Sequence, residues 1–103
     1  MKTIELTDEE RTAFKAVIQV IKEYLKETKD KCGFMPDIFK CEKLLENNKI
    51  EGSENNVRLI GIVLFFTGGL SVLKKEQIYP YLSPLMSFSA NFGKEYPMNW
   101  VSN

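Results

Sequence analysis

The sequence predicts an all-α fold: one small helical domain over residues 1–103, with four to five helices around a buried central helix at about residues 56–67 and a docked aromatic C-terminal tail. Three observations carry that prediction. Leu59 to Leu73 runs fifteen residues, LIGIVLFFTGGLSVL, without a charge in a chain otherwise dense in Lys and Glu. Apolar residues recur at helical spacing from Phe14 to Leu25. Helix punctuation stands at Thr7, Pro36 and Ser83-Pro84.

Residues 2–6, KTIEL, alternate polar and apolar and suit a short extended arm. Thr7 with Glu10 three residues on forms a capping box, and Asp8 and Glu9 add negative charge where the helix dipole favours it. Phe14, Val17, Ile18, Ile21 and Leu25 then define one face of a helix expected from about Asp8 to about Lys29, closing near Gly33. Lys22, Lys26, Lys29 and Lys31 resemble a phosphate-binding strip, but Glu23, Glu27 and Asp30 are interleaved with them, which marks a solvated face.

Pro36 and Asp37 suit the first turn of a second helix whose apolar stripe is Ile38, Cys41, Leu44 and Leu45, with Asn47-Asn48 as terminator. Lys49 to Asn56 reads as an exposed loop, with Ser53 or Asn55 capping the next helix.

The third helix carries Leu59 to Phe66 around its whole axis, the mark of a buried helix. At about 1.5 Å per residue the fifteen-residue run makes roughly 22 Å, short of the roughly 30 Å of a bilayer core, so no membrane span is expected. Thr67-Gly68-Gly69 is expected to end or bend this helix, and Gly61 and Gly68 share a face open to close approach by another backbone. The glycine pair does not make a phosphate loop, since the G-x-x-x-x-G-K-[ST] pattern is missing. A further piece from Leu70 to Tyr79 should stop at Pro80, and a last short helix should run from Pro84 to Phe92.

Composition limits the chemistry. Lys plus Arg and Asp plus Glu number 14 each, so no global field draws the chain to nucleic acid. With no histidine and two cysteines, Cys32 and Cys41, one chain has too few ligands for a Cys/His zinc site. The first residues lack a secretion signal, so a reducing cytoplasmic setting with both thiols free and at least partly buried is expected. Every carboxylate falls in a stretch expected to be exposed, which gives a general acid little to work with.

The expectation is therefore not an enzyme, with no cofactor, metal or catalytic residue. Aromatic residues crowd the last forty positions, and the part not absorbed by the core is the candidate partner surface: Tyr79, Tyr81, Tyr96, Met98 and Trp100. The partner is another protein or a second copy of the chain. The alternative is a binder of a small lipophilic ligand between the central helix and the C-terminal aromatics. A remoter alternative is a small inhibitor or accessory protein of a mobile element acting on a larger target.

Overall fold

A computed structural model describes residues 2–96. It shows the small all-α fold, with helices α1 (Asp8–Glu27), α2 (Met35–Leu44), α3 (Glu54–Leu73) and α4 (Lys75–Glu95) and a two-stranded ribbon of β1 (Thr3–Glu5) and β2 (Lys49–Glu51). Met98 and Trp100, and with them most of the tail expected to dock, lie outside the described residues.

The capping box forms as read. The Glu10 amide donates to Thr7 Oγ1 at 3.0 Å, and the Thr7 amide donates to Glu10 Oε1 at 2.9 Å. Ala13, Phe14, Val17, Ile18, Ile21 and Leu25 form the buried face of α1. The helix stops two residues short of Lys29, because Lys29 and Asp30 take left-handed backbone at φ 60° and 45°. Asp30 makes that conformation useful: its carboxylate accepts the amides of Phe34 at 2.8 Å and Met35 at 3.0 Å, tying the turn to the start of α2. Gly33, at φ 72°, belongs to this turn rather than to the end of α1.

In α2, Ile38 and Cys41 are buried, as is Leu45 just beyond its end. Lys49 to Glu51 is not the exposed loop expected. It pairs antiparallel with β1, Ile4 opposite Ile50, and both isoleucines enter the core. Three residues are too few for a periodicity to register in sequence, and the partner strand lies more than forty positions away.

Ser53 caps α3, its Oγ accepting the Asn56 amide at 3.2 Å. The helix does not end at Thr67-Gly68-Gly69 but runs twenty residues to Leu73, long and apolar enough by composition to cross a bilayer. Beside the glycines, Thr67 Oγ1 donates to the Val63 carbonyl at 2.8 Å and Ser71 Oγ to that of Gly68 at 2.6 Å.

The break comes instead at Lys74, and α4 is one helix of 21 residues across Pro80 and Pro84, where two pieces were expected. Pro80 and Pro84 stand in the same four-residue row as Phe88 and Phe92, and the burial of those two with Ile78 and Leu85 holds the helix together across them. Packing outweighs the local penalty. Phe88 meets Phe14 edge-on at 5.1 Å and stacks on Phe92 at 5.4 Å, joining α4 to α1.

Candidate interaction surface

The helical phase of α3 divides it into two faces. Ile60, Val63, Thr67 and Leu70 are buried, whereas Phe65, Gly68, Gly69 and Val72, at the three-and-four spacing of a single stripe, are exposed. Phe65 is not part of the buried helix it was expected to join: 65% of it is accessible, with Val72 at 79% and Leu73 at 64%. Near the N-terminal end of α3, Arg58 reaches Asp37 of α2 at 3.4 Å, and Gly61 and Ile62 are buried. Past Ile62 no described residue covers the stripe. A Cβ built on Gly68 or Gly69 meets nothing within 4 Å, so this part of the helix backbone lies open.

On α4 the exposed residues Tyr79, Ser83, Met86 and Ala90 follow the same spacing, with Tyr79 at 52% and Met86 at 65%. Tyr81 and Pro84, roughly opposite on the helix, border a hollow of about 320 Å³ against Asp8, Glu9, Thr12 and Ala13 of α1. That flank of α4 turns to α1. α4 packs against both α1 and α3, and Tyr79 and Met86 lie on the flank away from Tyr81 and Pro84.

Charge sets this hairpin apart from the rest of the chain. Of 14 basic and 14 acidic residues, positions 59–93 hold only Lys74, Lys75 and Glu76, all at the turn between α3 and α4. Lys74 pairs with Glu27 of α1 at 3.3 Å, and Lys75 Nζ lies 5.1 Å from the centre of the Tyr79 ring.

The residues singled out from sequence therefore part company. Tyr79 stands on the open face. Tyr81 is half-buried against the core and faces α1, while Tyr96 packs on Phe92 at 5.2 Å, closing the end of α4. Phe65, Val72, Leu73 and Met86 were missed because both faces of α3 are apolar and hydropathy alone does not rank them. The uncharged run from Gln77 to Gly93 was the available signal for α4.

The titratable groups offer less. Glu42 is drawn from the solvated set by a hydrogen bond from Lys22 at 2.6 Å and another from Gln19 at 2.8 Å, and the Lys22 contact holds its carboxyl below the usual range. A carboxylate so stabilised is a poor proton donor near neutrality. Burial pushes the Cys41 thiol up to about 12, which makes it inert, and Cys32 is exposed rather than partly buried. An alkylating reagent is expected to take one thiol per folded chain, Cys32, and the second only in denaturant; two fast equivalents in the native state would contradict the packing of α2.

Besides the hollow beside Tyr81, an open one of about 460 Å³ lies between α2 and β2, lined by Lys40, Leu44 and Asn47 among others. Neither lies between α3 and the C-terminal aromatics, where a lipophilic ligand was considered. Comparison with protein-family models, curated proteins and solved structures finds no match to this chain.

Proposed function

We propose that this chain is a non-catalytic protein-interaction module whose binding surface is the uncharged outer face of the α3–α4 hairpin. The observation that carries this reading is the conjunction of charge depletion over positions 59–93 with the exposure of Phe65, Val72, Leu73, Tyr79 and Met86. Aromatic and methionine side chains with few charges are the composition of an interface centre. Large exposed apolar side chains are costly to leave in water unless a partner covers them.

A protein partner suits the face better than lipid does. Gly68, Gly69, Ser83 and Ala90 are interspersed with the large residues, and small side chains permit close approach of another backbone but contribute little to burial in acyl chains. The balanced charge of the whole chain gives no attraction to anionic membranes or nucleic acid. An exposed free thiol at Cys32 suits a reducing compartment such as the cytoplasm.

The test is a photo-crosslinking amino acid placed at 65 and at 86, with position 39 as control, in cells that express the chain. Phe39 is also exposed, but it lies on α2 under the Lys22 ammonium and off the hairpin. Discrete crosslinked polypeptides from 65 and 86, and few from 39, are the expected result. Equal yields at the three positions, or no protein adduct at 65 and 86, would remove the basis of the proposal.

A further inference from the structure

From the sequence of the exposed stripe we infer that its occupant is a second copy of this chain, with the two α3 helices crossing antiparallel about a two-fold axis midway between Gly68 and Gly69. This inference rests on the protein-binding reading and gives that reading its partner. In an isologous contact every residue must be met by one that suits it, and that pairing is set by distance from the axis. An axis between Gly68 and Gly69 sets Gly68 against the partner's Gly69 and Phe65 against the partner's Val72. The exposed stripe Phe65, Gly68, Gly69, Val72 is thus matched to its own reverse, glycine to glycine at the centre and one large apolar side chain to another on either side. Glycines at the crossing let the backbones close up, which brings the flanking Phe and Val pairs into contact.

Two further observations are what a second copy requires. The formal net charge is zero, so two copies approach without mutual repulsion. The available area is also of the right order. Phe65, Val72, Leu73, Tyr79 and Met86 are each half to four-fifths exposed. At about 100 to 150 Å² apiece they offer roughly 600 Å² per copy, or about 1,200 Å² in the pair, the lower edge of the range for specific interfaces. The dimer is accordingly expected to be reversible on dilution.

Gly68 supplies a variant that separates association from folding. A side chain there meets nothing in the single chain, and replacing glycine inside a helix improves helix propensity, so Gly68→Leu should fold at least as well as the parent. At the crossing it would wedge the two backbones apart. Sedimentation of the parent across concentration is expected to approach about 24 kDa, twice 11.9 kDa. Gly68→Leu should weaken the association by about 30-fold or more with helicity unchanged, the size of effect seen at an interface hot spot. Register is tested in a Cys32→Ser background: Phe65→Cys and Val72→Cys chains, mixed and oxidised, should give the mixed disulfide in excess over either self-disulfide.

A parent that dimerises equally well with Gly68→Leu, or self-disulfides that match the mixed one, would overturn the α3 crossing. A parent that stays at 11.9 kDa up to about millimolar concentration would overturn the inference outright. In that case crosslinks from position 65 to a polypeptide of another mass leave the protein-binding reading standing. Flotation of the monomer with phosphatidylcholine vesicles, without protein crosslinks, would remove both.

Discussion

Ile60→Ala is expected to lower the unfolding free energy by about 2 to 5 kcal/mol, while Phe65→Ala, five residues along the same helix, should change the concentration-independent part by no more than about 0.5 kcal/mol. Five residues turn an α-helix by about 140°, which is enough to carry a side chain from the core to solvent. Ile60 has no accessible surface and lies in one apolar cluster with Phe14, Ile21 and Ile78, so truncation both forfeits burial and leaves a cavity. Phe65 retains 65% of its surface and loses little on truncation. Urea denaturation of both variants, each at several protein concentrations, makes the comparison, because an associated state adds a stability that dilution removes. Equal losses at high dilution would mean that the outer face of α3 is covered within a single chain.

The contrast between those two residues also marks how far the sequence could be read. Helix α1 was legible almost to its ends because one face is apolar, the other charged, and Thr7 and Glu10 mark its start. Its last residues were not, since the left-handed turn at Lys29 and Asp30 depends on an aspartate reaching amides four and five positions ahead. Helix α3 was legible as a helix but not by face. Where every side chain is apolar, periodicity carries no phase, and only tertiary contacts decide that Ile60 goes in and Phe65 out.

Proline and glycine signals misled in the C-terminal half for a common reason. Both raise the local cost of helix without setting the return from packing, and the burial of Leu70, Ile78, Leu85 and Phe88 exceeds that cost. The ribbon was hidden by distance, as neither three-residue strand has a pattern of its own until the other is placed beside it. Of the candidate partner residues, Tyr79 lies on the open face and Tyr96 is drawn into the fold by Phe92.

Tyr96 also brings in the second large effect, at Gly52. A Cβ on Gly52 would lie 2.6 Å from the Lys2 carbonyl oxygen and closer still to the Tyr96 hydroxyl, so Gly52→Ala is expected to cost about 1 to 3 kcal/mol through overpacking alone. One of these neighbours is backbone held in place, since the Lys2 carbonyl accepts the Gly52 amide at 2.7 Å as the rung next to the Thr3–Glu51 pair. Moving it strains the ribbon that brings Ile4 and Ile50 into the core. The other neighbour can be removed. The Tyr96 hydroxyl is buried without a hydrogen-bond partner among the described residues, so Tyr96→Phe should by itself be neutral or mildly stabilising. In the double variant the loss at Gly52 should shrink by about 0.5 to 1 kcal/mol and no further, because the carbonyl clash remains. A cycle measured by denaturation that shows no coupling would separate Tyr96 from Gly52 and free the end of α4 from the ribbon. Coupling of the expected size would instead fix the last turn of α4 over β2.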